Sequence, residues 1–343
     1  MGMLKGNEVR RAVGTPVIRP AYKRSIARDL NFSRYSETPS MYRSISRYPV
    51  LTFVFLTLAY QFGVVGVIWA LLEPGQKIHD DDTAHMIFRF RVFGPLVFAV
   101  LITVYLEGSA GFKKLFASFL HWKVPVKWYL LAFSWKFIFT YTGIACLVIL
   151  GLRQWPGFVV NDMIGGTWEN FGHLVANLPF IVGIAFVEET AWMKFSVTRL
   201  QEKYSAFFSC FVIGIAWGMW YLPMLLLGDG VPDGYTWPMF MTSMLCLTFL
   251  LGWTYNMTRS GTILLIMQII SNCAFFIVPV LPAHWGLDDA YVNSFVAINC
   301  VSAILLVLIY GPKELGIHQR AKWSDEDHVV TDTVTEPAAA RVR

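Results

Sequence analysis

From residue 48 to residue 311, long apolar runs alternate with short polar connectors. Eight runs can be delimited: Val50–Leu72, Val92–Leu106, Trp128–Leu150, Leu174–Val197, Ala206–Leu227, Trp237–Met257, Ile263–Leu281 and Tyr291–Tyr310. A helix that crosses a bilayer needs about 20 predominantly apolar residues, and the runs are of that order. The second run is short. Starting it at Ile87 lengthens it and brings Arg89 and Arg91 to its end. The connectors, such as LLEPGQKIHDDD and LLGDGVPDGY, are rich in Gly, Pro and Asp, which form turns. The pattern predicts an all-α, polytopic integral membrane protein of about eight transmembrane helices. No internal repeat is visible, so the sequence gives no support to an inverted-repeat transporter.

Composition agrees with that reading. Of the 343 residues, 55% are hydrophobic and 15% charged, against about a quarter charged in a soluble domain. The net charge of +5 is uneven: residues 1–47 carry ten Lys or Arg against Glu8, Asp29 and Glu37. This predicts a basic cytosolic tail (1–47) that touches anionic lipid and not nucleic acid. A membrane domain (48–311) follows, and then a polar, disordered tail (312–343). The start of the chain is too polar for a cleavable signal peptide. Loop charge alternates across the runs. Lys113, Lys114, Lys123, Arg199, Lys203, Arg259, Lys313, Arg320 and Lys322 lie on one side. Asp80–Asp82, Asp162, Glu169, Asp229, Asp233, Asp288 and Asp289 lie on the other. The positive-inside rule then predicts both termini in the cytosol, at the plasma membrane if the chain is bacterial. The five cysteines all fall in apolar runs and read as free thiols.

Chemistry concentrates in the fourth run, at VEETAWMKF (187–195), which sets Glu188 and Glu189 inside a membrane helix. Charges at that depth cost several kcal/mol, so intramembrane acids are functional candidates. Helix rise of about 1.5 Å per residue puts Glu188 about 16 Å from the cytosolic end, with Gln268 about 10, Asn272 about 16 and Lys136 about 14 Å in. Gln268 and Asn272 are spaced i,i+4 and share a helix face. Tyr221 is expected deeper, at about 24 Å. Lys136 is the cation inside a run at a matching depth, and it is expected to pair with Glu188 or Glu189. Lys194 lies five and six residues from the two acids, outside the spacing at which α-helical side chains meet.

Residues 188–272 resemble the CPBP family, the CAAX proteases and bacteriocin-processing membrane proteins. Family members carry eight helices and the motifs EExxxR, FxxxH and HxxxN. The stretches here are EETAWMKFSVTRLQEKYSAF, GIAWGMWYLP and GWTYNMTRSGTILLIMQIISN. Trp192, Arg199, Leu200, Gln201, Trp217, Trp220, Pro223, Trp253 and Tyr255 agree with the family framework, and the CPBP-like core spans 174–282. The resemblance implies an intramembrane glutamic endopeptidase. Its first glutamate and first histidine activate a water, while the second histidine and an asparagine stabilise the oxyanion. Glu188, Glu189 and Asn272 stand at the family's glutamate and asparagine positions. Tyr221 and Gln268 replace its two histidines, and Met193, with Lys194 beside it, replaces its arginine.

Carried over residue by residue, Glu188 remains a base, while Gln268 and Asn272 remain oxyanion donors. A phenol, with a pKa of about 10, cannot replace a neutral imidazole as proton acceptor near pH 7. Losing an oxyanion donor or a base typically costs about 100-fold to 10,000-fold each, so peptidase activity of the usual kind is expected to be negligible. The seven histidines lie in loops or tails and give no zinc ligand set, so neither metal nor cofactor is expected. Three functions follow. The first is a pseudoprotease that binds a membrane partner or a lipid-linked peptide. The second is a divergent endopeptidase using Glu188. The third is other chemistry on an isoprenoid or acyl chain in the same cavity.

Overall fold

A computed structural model describes residues 40–160, 162, 168–229, 231, 235–281 and 288–326. The basic stretch ahead of residue 40, the tail beyond 326, Asp233, His284 and His328 lie outside the described residues. The chain divides into two units, Met1–Arg47 and Tyr48–Arg343. In the first, Ser40–Arg47 is a helix, α1. Everything below concerns the second.

That unit is all-helical among the described residues. Its helices are α2 (Pro49–Leu71), α3 (Asp82–Arg91), α4 (Gly94–Ala117), α5 (Val126–Ile149), α6, α7 (Ala206–Leu227), α8 (Trp237–Thr258), α9 (Gly261–Ile277) and α10 (Asp289–Tyr310). α6 is composite: α-helical over Glu169–Glu188, π-helical over Glu189–Val197 and α-helical again over Thr198–Leu200. Several boundaries follow from local chemistry. Ser205 and Ser260 cap α7 and α9 by accepting from the backbone N–H groups of Phe208 and Ile263, and Asp81 caps α3 by accepting from Ala84. α9 stops at Ile277 because Val278 precedes Pro279 and is extended (φ −79°, ψ 127°), the region to which proline drives its predecessor.

Among the described residues, seven helical segments are long and apolar enough to cross a membrane, α3 and α4 counting with Ser118–Leu120 as one segment, Asp82–Leu120. The seventh sequence run, expected to extend to Leu281, forms the 17-residue α9, about 25 Å long at helical rise. The lipid-facing surface is apolar, with Leu51 and Phe55 on α2 and Ile304, Leu305 and Leu308 on α10 all exposed. In a bilayer such residues are solvated by acyl chains.

The helices close into a circuit. α6 packs on α9, α9 on α5, α5 on α10, α10 on α8, α8 on α7, α7 on α2, α2 on α4, and α4 on the π-helical part of α6. That π-helical segment also touches α7, α8 and α9 and has all nine residues buried. Aromatic rings hold it. Trp192 stacks on Trp217 at 6.0 Å and meets Phe53 edge-on at 5.2 Å, and Phe195 also reaches Phe53 at 5.2 Å.

Two features correct the sequence reading. The second run does not extend back as one helix. α3 ends at Arg91, and α4 begins at Gly94 and carries a non-helical Gly108 (φ +62°, ψ −147°). The segment after α10, expected to be disordered from 312, is ordered to residue 326. Asn256 donates to the carbonyl of Glu314 at 2.9 Å and accepts from the N–H of Ala321 at 2.9 Å, and Gln201 donates to the carbonyl of Ala321 at 3.0 Å. Buried amides fasten this segment together with the buried Leu315, Ala321 and Trp323, isolated contacts that a hydropathy pattern does not register. On the opposite side of the spans, Arg153 grips Asp288, the cap of α10, at 2.5 and 3.1 Å. The Arg153 hydrogen bonds, helped by the Ala290 N–H, hold the Asp288 carboxyl below its usual range.

Candidate functional site

The two glutamates lie where α6 changes from α to π geometry. Glu188 is 1% exposed and Glu189 fully buried. In the π segment the backbone pairs five residues apart, as in Thr198 N–H to Met193 C=O, and the Ser196 hydroxyl likewise donates to the carbonyl of Ala191. π-helical insertions within α-helices are frequent at functional sites. The i,i+3 and i,i+4 argument applied to Lys194 therefore rests on a periodicity that this stretch does not have.

Each oxygen of Glu188 accepts a short hydrogen bond. Tyr221 of α7 donates its hydroxyl to Oε1 at 2.6 Å, and Gln268 of α9 donates its amide to Oε2 at 2.7 Å. The sequence analysis sets these two residues at the histidine positions of the motifs, and here both are donors to the glutamate. Tyr221 thus reaches the same layer as Glu188. The greater depth expected from helix rise counted Cα positions alone, and the phenol spans the difference.

Glu189 differs from its neighbour: neither of its oxygens has a hydrogen-bond partner among the described residues. Met193, at the motif-arginine position, is fully buried, with its methyl beside Gly252 of α8. That position is one of apolar packing here.

The cation near the glutamate is Arg91, which the sequence reading put only at a helix end. It is 2% exposed and interacts electrostatically with both Glu188 and Tyr221. Its guanidinium lies 5.2 Å over the Trp220 ring and 4.5 Å over Phe88, and it donates a long bond to Gln61 at 3.4 Å. Arg91 reaches the site because the chain breaks at Val92 and Phe93, so the last turn of α3 is presented inward. Hydropathy marks that turn only as polar residues flanking a span.

Lys136 does not make the expected ion pair. Among the described residues no carboxylate lies within ion-pair distance of it. Its Nζ sits 4.3 Å over Phe295, 4.8 Å over Phe275 and 5.5 Å over Trp135. The Trp135 indole donates to the carbonyl of Met267 at 3.2 Å. This bond docks α5 on α9 and turns Lys136 towards the ridge of Ser271, Asn272 and Phe275. Azimuth, which helix rise does not fix, turns Lys136 to the aromatic rings and not to the glutamates.

A cavity of about 870 Å³ joins these groups. Tyr221, Gln268, Asn272 and Lys136 all line it, as do Phe180, Phe240, Met244 and Leu247. It reaches the loop residues His79 and Asp229 and the helical residues His85 and His173. Three histidines that the sequence leaves scattered in polar connectors therefore share one cavity. No group of His, Cys, Asp and Glu side chains suited to a metal ion occurs among the described residues. Aromatic and aliphatic walls interspersed with convergent polar groups are the form of a ligand site.

At the far end of the π segment lies a second polar cluster. Arg199 pairs with Glu107 of α4 at 2.6 Å, Lys114 lies 3.8 Å from the same carboxylate, and the Trp323 indole donates to it at 2.9 and 3.0 Å. The Arg199 guanidinium stacks 3.9 Å over the Trp323 ring.

Residues 170–274, the stretch holding Glu188, Tyr221, Gln268 and Asn272, match the family model described as type II CAAX prenyl endopeptidase Rce1-like. A comparison with curated proteins gives no match.

Proposed function

The chain is a CAAX-protease-like membrane protein of the CPBP family, and from that premise we propose that it is a non-hydrolytic member, a pseudoprotease that holds a lipid-linked peptide or membrane protein in the cavity. The observation that carries this reading is the closed state of Glu188. Its two oxygens are held by Tyr221 and Gln268 at 2.6 and 2.7 Å. A general base must lie within hydrogen-bond reach of the proton it removes, directly or through a single water. Here the best-placed acceptor sites are filled by side chains at the positions where the motif would supply imidazoles. Gln268, the expected oxyanion donor, already gives an amide N–H to the same carboxylate, whereas the Asn272 amide makes no hydrogen bond among the described residues.

The cavity supports the binding half of the reading. Its aromatic and aliphatic walls suit a prenyl or acyl chain, and Asn272 offers an amide to a peptide. Both termini are assigned to the cytosol on the loop charges, which puts the cavity's loop end, at His79 and Asp229, on the other side of the bilayer. Lys113 is an exposed probe of the cytosolic side, whereas Lys114 is buried. Lys113→Cys is expected to react with a membrane-impermeant maleimide only after permeabilisation, and Asp80→Cys in intact cells. The reverse pattern overturns the orientation.

The test of function is binding. Purified protein is expected to bind a fluorescent farnesylated CAAX peptide, with Glu188→Gln binding within about 3-fold of wild type, a difference under 1 kcal/mol. Loss of binding in Glu188→Gln overturns the proposal, because it makes the ionised carboxylate the centre of the interaction.

A further inference from the structure

Lys136 is 4% exposed, lines the cavity, and has neither a hydrogen-bond nor an ion-pair partner among the described residues. An ammonium at membrane depth is costly and is almost always paired, or else it snorkels to the interface. Lys136 does neither. Three rings surround it at 4.3, 4.8 and 5.5 Å. Such a cage attracts a cation through the ring quadrupoles, but it brings no opposite charge. The cavity lacks one as well. Among the described lining residues the single carboxylate is Asp229, and the backbone N–H of Ile78 already donates to its Oδ2 at 2.8 Å. Arg89 adds a second cation to the lining, held 4.4 Å over Phe180. An apolar cavity with two cations and one engaged acid is matched to an amphiphile that carries its own anion.

Neighbouring groups complete the site. The indole bond of Trp135 to Met267 fixes α5 against α9, so Lys136 faces a stretch of α9 where Ser271 and Asn272 also line the cavity. The Asn272 side chain makes no hydrogen bond among the described residues, and its amide N–H₂ group is available. Ammonium and amide together present donors to the two oxygens of a carboxylate, in a charge-assisted arrangement that is stronger than a neutral one. We propose that Lys136, with Asn272, is the anchor for the free C-terminal carboxylate of a lipid-linked peptide whose hydrocarbon chain lies along the Phe180, Phe240 and Leu247 walls. This deepens the pseudoprotease reading and rests on it for the identity of the ligand. It also gives Lys136 the counter-charge that neither glutamate provides.

The test compares two fluorescent farnesylated tetrapeptides that differ only at the C-terminus, one a free acid and one an amide, binding to the full chain in nanodiscs of zwitterionic lipid. The wild type is expected to bind the acid about 10-fold or more tightly than the amide, the scale of a charge-assisted hydrogen bond. Lys136→Met is expected to erase that preference, leaving the amide affinity within about 2-fold of wild type, while Lys136→Arg retains part of it. The wild-type acid-to-amide ratio needs no variant, so poor folding of Lys136→Met does not blunt the test. Equal binding of acid and amide by the wild type overturns the anchor and leaves the pseudoprotease reading standing. Dioleoyl phosphatidate provides the second arm. If neither peptide binds while phosphatidate binds in a Lys136-dependent manner, the anion belongs to a lipid phosphate. The peptide assignment, and the proposed function with it, are then overturned. If no anion binds, both are overturned.

Discussion

Two carboxylates flank the π-helical segment, Glu107 half-buried and Glu188 buried, and they are held in different ways. Glu107 meets two cations, Arg199 at 2.6 Å and Lys114 at 3.8 Å, and an indole N–H besides. It is also 29% exposed. Glu188, at 1% exposure, accepts from a phenol and an amide, both neutral donors, with Arg91 acting at longer range. The first arrangement is a clamp that fastens α4, the end of α6 and the C-terminal segment. The second is the more costly way to keep an acid in a membrane, since neutral donors offset desolvation less well than a cation at contact. Glu188 is joined to the large cavity through Tyr221 and Gln268, which line it, whereas Glu107 is not among the cavity's lining residues.

The clamp should fail first. Arg199→Met removes the strongest partner of Glu107 and leaves the carboxylate partly buried, and it is expected to cost about 3 kcal/mol. A lowered midpoint in detergent-induced unfolding measures this, and an unchanged midpoint would make the cluster ornamental. Tyr221→Phe and Gln268→Leu each strip one donor from Glu188 and are expected to cost about 1 to 3 kcal/mol apiece. With Glu188→Gln added to Tyr221→Phe, the loss is expected to be less than additive by about 1 kcal/mol, the mark of a direct contact. Additivity would dissolve the contrast, because the triad would then be three independent residues. Trp323→Phe keeps the ring against Arg199 but loses the indole bond to Glu107, and a change of about 1 kcal/mol is expected.

The smallest effect concerns a third carboxylate, in a loop. Arg153 holds the Asp288 carboxyl below its usual range. A depressed carboxyl contributes stability above its unfolded pKa, about 3.9, and loses it as the pH falls through the folded value. Between pH 5 and pH 3, the thermal midpoint of wild type is therefore expected to approach that of Asp288→Asn. Parallel curves for the two proteins would exclude the linkage.

How far the sequence reaches can be followed residue by residue. The long apolar runs specify the helices well, because bilayer thickness imposes a length that hydropathy reads directly. The meeting of Gln268 with Glu188 follows from motif order and helix rise. Three things escape. Arg91 is hidden because the break at Val92 and Phe93 is not written as a proline or a loop, so its inward turn looks like a flank. The π segment breaks the 3.6-residue period on which facing arguments depend, and with it the reading of Lys194. Lys136 escapes because helix rise does not fix azimuth, and the Trp135 bond to Met267 shows which way it turns. The C-terminal segment escapes for another reason: its anchors are Asn256, Gln201 and Trp323, single polar contacts with no periodic signal.

The central claim is that Tyr221 and Gln268 close Glu188 to water. Mass spectrometry of a farnesylated CAAX peptide incubated with the purified wild type tests it directly, alongside the variant that combines Met193→Arg, Tyr221→His and Gln268→His. The wild-type reaction is expected to return the peptide intact. Any gain is expected only in the combined variant, since residues of one catalytic unit act non-additively. Release of the C-terminal tripeptide by wild type, abolished by Glu188→Ala, would contradict the account.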